Sequence, residues 1–157
     1  MKINFLFPGK TKEKFFADGI ESYLKRLQPM VEASVVILKG AAASPGRAGE
    51  AQAMAREADQ VLERIKPGEY FVVMDVKGTA ISSPDLAARF EKLMINGHKT
   101  VHIAVGGPWG LDQSLIRRAD LRLSFGPMTF PHDLARLMLL EQVYRAYAII
   151  NNIPYHK

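Results

Sequence analysis

Five short runs of β-forming apolar residues recur along the chain: "INFLF" at 3–7, "SVVIL" at 34–38, "YFVVMDV" at 70–76, "TVHIAV" at 100–105 and "LRLSF" at 121–125. Each is followed by a segment with helical spacing. In "TKEKFFADGIESYLKRL", residues 11–27, Phe15, Phe16, Ile20, Tyr23, Leu24 and Leu27 share one stripe. A second helix ends near "LERIKPG", and a third begins with Ser83 as N-cap and Pro84 at the first helical position. A short fourth helix covers about Asp112 to Ala119, and a long fifth follows Pro131. This alternation predicts an α/β fold, a mostly parallel five-stranded sheet covered by helices on both faces, with ligands expected beyond the carboxyl ends of the strands. The run at 70–76 is almost unbroken in its hydrophobicity, which marks a strand buried on both sides. The 157 residues show no internal repeat and no compositional boundary, so one domain spanning 1–157 is expected.

Composition narrows the function classes. The absence of cysteine rules out a disulfide framework, a thiolate metal site and a cysteine nucleophile, and it suits a reducing, cytoplasmic setting. The apolar run in "MKINFLFPGK" is too short for a signal peptide or a membrane span, so a soluble, unexported protein is expected. Lys and Arg outnumber Asp and Glu by 21 to 16, a net charge of +5, which favours a polyanionic partner. The basic residues are spread along the helices, a distribution that an ordinary solvated surface explains as well. His98 and His102 lack ligand-spaced partners and read as structural; no metal is expected.

Three glycine-bearing loops fall at the carboxyl ends of strands: "MDVKGTAIS", "VGGPWGL" and "SFGPMTFPH". Gly106, Gly107 and Gly110 allow close backbone approach or positive φ, whether for a ligand or for a tight turn. Neither a G-x-G-x-x-G fingerprint nor a phosphate-binding P-loop is present. Loops offering mainly backbone N–H and C=O groups suit a flat heterocycle such as adenine.

The last helix is apolar on two sides. Leu134, Leu137, Met138, Glu141, Arg145 and Ala148 fall together, and Leu139, Val143, Tyr147 and Ile150 fall opposite. One side covers the sheet and the other meets a second subunit, which predicts a homodimer. Glu141 and Arg145, spaced i, i+4, read as a structural ion pair. His132 and Arg136 stand one turn apart beside the proline loop, where both a structural role and contact with a charged ligand or RNA phosphate remain open.

The blocks "GGPWGL", "LSFGPMTFPHDLARLMLLEQVYRAY" and terminal "PYHK", with length and element order over essentially the whole chain, resemble the small SPOUT-class methyltransferases that methylate N3 of a pseudouridine in 23S ribosomal RNA. The resemblance implies a homodimer, a C-terminal trefoil knot and S-adenosylmethionine as cofactor. It places Met74, Gly106, Phe125, Gly126, Pro127, Met128, Thr129 and Phe130 in the cofactor pocket. It also makes His132 and His156 candidates for proton handling, and Arg136 and Lys157 candidates for holding RNA or stabilising the imide anion. Tyr155, His156 and Lys157 would form an ordered tail in the active site instead of a frayed end, reaching the other subunit's cofactor. Trp109 is a departure from the family pattern, suited either to stacking on a base or to covering its loop. With no cysteine, thiolate addition to a pyrimidine carbon is excluded, which leaves a nitrogen or a ribose oxygen as acceptor. The alternatives are a ribose 2′-O-methyltransferase of the same superfamily and a non-catalytic RNA-binding or ribosome-assembly factor. No separate RNA-binding domain is present, so the expected substrate is 23S rRNA in the assembled ribosome and not a naked fragment.

Overall fold

The computed structural model describes residues 1–156, and the expectation placed on Lys157 lies outside them. The chain runs β1 (Lys2–Pro8), α1 (Lys14–Leu27), β2 (Glu32–Leu38), α2 (Arg47–Leu62), β3 (Tyr70–Ala80), α3 (Ser83–Ile95), β4 (Thr100–Val105), α4 (Gln113–Arg118), β5 (Leu121–Ser124) and α5 (His132–Ile150). Strand order is β2-β1-β4-β3-β5, and all four pairings are parallel. The sheet is wholly parallel because each strand is followed by a helix that returns the chain to the same edge.

Side chains alternate between the two faces, as a two-residue period requires. Ile3, Phe5, Phe7, Val72, Met74, Val101 and Ile103 pack under α1, α3 and α5, with Ile20, Phe90, Leu139, Val143 and Tyr147 among the helical contributors. Leu6, Phe71, Val73 and Ala104 point the other way, against Ala58 and Val61 of α2 and Leu115 of α4. Phe71 and Leu139 are both 0% exposed, and burial of a side chain of this size contributes about 1.5–3 kcal/mol.

Three boundaries differ from the sequence expectation. Helix α1 starts at Lys14, not residue 11, because Thr11 and Lys12 are bonded to the start of α5. The N-cap of α3 is Ser82, not Ser83. Its hydroxyl accepts from Asp85 N at 3.2 Å, while the Asp85 carboxylate accepts from Ser82 N at 3.3 Å, a reciprocal capping box that moves Pro84 to the second helical position. Strand β3 continues to Ala80 after a register shift between Met74 and Thr79. A Cβ on Gly78 would stand 2.7 Å from the Arg122 carbonyl oxygen, so the irregularity closes against β5 only with glycine there.

Candidate functional site

A cleft of about 740 Å³ opens at the carboxyl edge of the sheet, a size suited to a small-molecule cofactor. Its walls are Met74–Lys77 at the β3 irregularity, Gly106–Gly107 and Gly110–Leu111 after β4, and Thr129–His132 leading into α5. A shallower recess of about 80 Å³ shares Met74, Asp75, Val76, Thr129 and Phe130 with it and adds Ser124, Phe125, Gly126 and Met128. The structure thus brings together seven of the eight residues expected around a cofactor. The eighth, Pro127, is exposed in the same loop.

Close packing of backbone shapes the β4–α4 loop. Gly107 and Gly110 pair as an isolated antiparallel bridge, with Gly110 at φ +101°. A Cβ on Gly106 would lie 2.8 Å from the Gly110 carbonyl oxygen, and one on Gly107 would lie 2.4 Å from Glu57 Oε2. Glu57 comes from α2, is only 4% exposed, and accepts a hydrogen bond from Ala41 N at 3.0 Å. The glycine loop therefore rests directly on a buried carboxylate. Across the cleft, Gly126 takes φ +111° and its N–H donates to Ser124 Oγ at 3.0 Å, while Phe125 and Phe130 meet edge to face at 6.4 Å. Such a site offers backbone polar groups between apolar walls, which fits a flat heterocycle such as adenine.

An ion pair that the sequence did not single out lies on the cleft wall. Arg122 Nε and Nη2 donate to Asp75 Oδ2 at 3.0 and 2.6 Å, and Lys77 N donates to Asp75 Oδ1 at 3.0 Å. Burial alone would raise the Asp75 carboxyl, but these donors and the charges of Arg122 and Lys77 hold it below its ordinary value. The readable signal was a carboxylate inside a strand run that is otherwise apolar. Trp109 sits at the tip of the Gly107–Gly110 turn and is 41% exposed.

His132, the first residue of α5, lines the cleft, with Nε2 3.3 Å from Asp133 Oδ1. Arg136 does not share that position, and contact with RNA phosphate does not fit its environment. It is 0% exposed, and its guanidinium is taken up by Pro8 O at 2.6 Å, Asp133 Oδ1 at 3.2 Å and Thr11 Oγ1 at 3.3 Å, over the ring of Phe7. The helical pattern showed its spacing from His132 but not which way the side chain turned.

The tail is placed away from its own chain's cleft. After α5, Asn152 adopts φ +54° and Ile153 N bonds back to Ala148 O at 2.8 Å, which folds the chain onto the helix. Tyr155 then donates to Glu141 Oε1 at 3.1 Å and packs at 4.8 Å on Tyr144, with the Arg145 guanidinium 4.6 Å from its ring centroid. Burial, then hydrogen bonds with Tyr23 and Glu141, push the Tyr155 phenol above its ordinary value, so it stays a donor. The expected Glu141–Arg145 pair forms, with Arg145 Nε 3.0 Å from Glu141 Oε1. His156 is exposed, and His102 pairs with Glu69 at 2.9 Å inside the fold. Among the described residues no helix is long and apolar enough to cross a membrane, and no group of three or more His, Asp or Glu is placed to hold a metal ion.

A parallel α/β sheet with a nucleoside-sized cleft built from glycine loops at its carboxyl edge defines a class of cofactor-binding protein. The protein-family description "Predicted SPOUT methyltransferase" matches residues 1–156, and the chain belongs to that family. Its relatives include proteins named "Ribosomal RNA large subunit methyltransferase H". That of Desulforamulus reducens is 43% identical, with 100% of this chain and 99% of the relative covered. Those of Acetivibrio thermocellus and Ruminiclostridium cellulolyticum are each 41% identical, with both chains fully covered. A solved structure described as "a probable methylase family protein from Haemophilus influenzae Rd KW20" shares the fold at a TM-score of 0.54 and 13% identity, over 96% of this chain and 66% of that one. Family membership brings with it the trefoil knot of the SPOUT fold and S-adenosylmethionine as cofactor.

Proposed function

We propose that the protein methylates N3 of a pseudouridine in 23S rRNA with S-adenosylmethionine as donor, acting on the assembled ribosome as one domain. The observation that carries the reading is the cleft itself, in which glycine loops after β4 and β5 face the end of β3 with room for the cofactor. The relatives' names supply the substrate class, ribosomal RNA of the large subunit.

When bound, the cofactor supplies an electrophilic methyl group on sulfonium sulfur. Gly106 and Gly126 would bring backbone amides close to it, Met74, Phe125 and Phe130 would provide apolar walls, and Pro127, Met128 and Thr129 would complete the loop on its adenosine side. The imide N–H must lose its proton as nitrogen gains the methyl. The imidazole of His132 or of His156 is the acceptor for that proton, a role worth roughly 10² to 10⁴-fold. Holding the nucleophile in line is the larger contribution, up to about 7–11 kcal/mol in favourable cases. Arg136 serves from beneath, through the loop it holds, and Lys157 would contact the RNA.

The active unit is a homodimer. Leu134, Leu137 and Met138 line an open groove of about 430 Å³ with Tyr23 and Phe125, and Phe125 also walls the cofactor recess. A second copy seated on this groove would bring its Tyr155–Lys157 tail beside the first copy's cofactor. Labelled methyl transfer to unmodified ribosomes, separated subunits and deproteinised rRNA, followed by nucleoside digestion, tests the reading. N3-methylpseudouridine, strongest with whole ribosomes, is expected. Label on ribose would move the acceptor to the 2′-oxygen, and cofactor binding without label would overturn the substrate.

A further inference from the structure

Arg136 is the largest side chain fully withdrawn from solvent. Apart from its bond to Asp133, its guanidinium hydrogen-bonds only to the end of β1, at Pro8 O, and to the segment after it, at Thr11 Oγ1. Asp133 reinforces the join, since Oδ2 accepts from Lys12 N at 3.2 Å. Burial draws the Arg136 pKa down while the charges of Asp133 and Glu57 hold it up. A buried ion pair is often no more stabilising than apolar residues of the same volume, so stability alone does not account for it. What Arg136 and Asp133 together do that apolar residues could not is fix a loop at three points, Pro8 O, Thr11 Oγ1 and Lys12 N.

That loop, "PGKTK" at 8–12, presents Lys10 and Lys12 to solvent. Neither forms an ion pair among the described residues. The backbone of Lys12 is bonded to Asp133, the neighbour of cleft-lining His132, which ties the loop to the start of α5 beside the cleft. We propose that Arg136 and Asp133 form a positioning clamp that holds Lys10 and Lys12 as a preordered two-cation contact for the phosphate backbone of the RNA substrate. The inference rests on the rRNA reading above. A loop fixed before binding loses little freedom on contact, and two unpaired ammonium groups release counterions from the RNA when they engage it.

The test is K10A/K12A, two exposed substitutions, assayed by co-sedimentation with unmodified ribosomes over a salt series. The slope of log affinity against log salt should fall in magnitude by about 1.4–1.8, from roughly 0.7–0.9 per cation. The ribosome KM should rise severalfold, with kcat at saturating ribosomes and S-adenosylmethionine affinity unchanged. Arg136→Met should reproduce the slope change, and K10A/K12A added to it should change the slope little further. Should Arg136→Met fail to fold, Thr11→Val removes only the bond at the far end of the loop and should give part of the same effect. An unchanged slope in K10A/K12A overturns the contact, and additive slopes overturn the clamp. If the unaltered protein transfers no methyl to any ribosomal substrate, the rRNA reading fails and the proposal with it. Transfer by the unaltered protein with no change in K10A/K12A sinks the proposal alone.

Discussion

Gly106→Ala isolates the close backbone approach on which the cleft depends. The added Cβ would lie 2.8 Å from Gly110 O, 3.1 Å from Leu111 Cδ2 and 3.2 Å from the Gly110 carbonyl carbon. Ordinary contact begins at 3.4 Å, so the loop must move by about 0.6 Å, and two of the three atoms are backbone that no rotamer change can clear. The Gly107–Gly110 bridge would absorb the shift. Overpacking of this kind costs about 1–3 kcal/mol, or a fall in Tm of roughly 2–12 °C at about 2–4 °C per kcal/mol for a chain this size. The same displacement moves amides on the cofactor side, so S-adenosylmethionine affinity measured by calorimetry should fall by about tenfold or more, equivalent to about 1.4 kcal/mol. Gly97→Ala is the control. It sits at φ +78° with no atom within 4 Å of its Cβ position and forms no part of the cleft, so it should lose stability by backbone strain and keep cofactor affinity. Gly106→Ala with unchanged Tm and unchanged affinity would refute the argument, and so would an equal loss of affinity in Gly97→Ala.

Deleting Tyr155–Lys157 should abolish methyl transfer and leave calorimetric cofactor binding intact; unchanged turnover would remove the tail from the active site. Because the folded Asp75 carboxyl lies below its ordinary value of 3.8, its contribution is present above that pH and is lost as pH falls through the folded value. Arg122→Gln should therefore lose stability near neutrality, with the gap to the unaltered protein closing in acid, as urea unfolding across pH would show. Ser82→Ala removes the α3 cap and should cost about 0.5–2 kcal/mol in the same assay. Leu139→Ala, at a position 0% exposed between sheet and helices, should cost about 2–5 kcal/mol.

The elements were legible because the signals were periodic. "YFVVMDV" alternates Phe71 and Val73 with Val72 and Met74 between two packed faces, as its unbroken hydrophobicity required. The order of the strands was not legible, since β1 lies between β2 and β4 and no local pattern encodes which parallel neighbours meet. At the site, glycine and proline marked the loops, and the resemblance assigned their residues. Long-range polar pairs were invisible: Asp75 and Arg122 are far apart in sequence, and Arg136 finds Pro8 and Thr11 only through the tertiary fold. Gly78, two residues past the third apolar run, was the available clue to the β3 irregularity. Ser83 suits a cap by residue type, but the reciprocal bonds between Ser82 and Asp85 place the cap one residue earlier.

The helix α5 fills the space against α1 and α3 and also carries His132 into the cleft wall. It follows all five strands in chain order, so during translation the sheet face it shares with α1 and α3 lacks part of its cover until α5 has emerged. The cofactor site shares this timing, because the Phe125–Phe130 loop takes its shape between β5 and that helix. Nascent chains shortened before α5 would leave Phe7 and Phe90 without their contacts to Arg136 and Tyr147 and lack a formed pocket. Competence to bind cofactor is thus reached only once α5, made after all five strands, has docked.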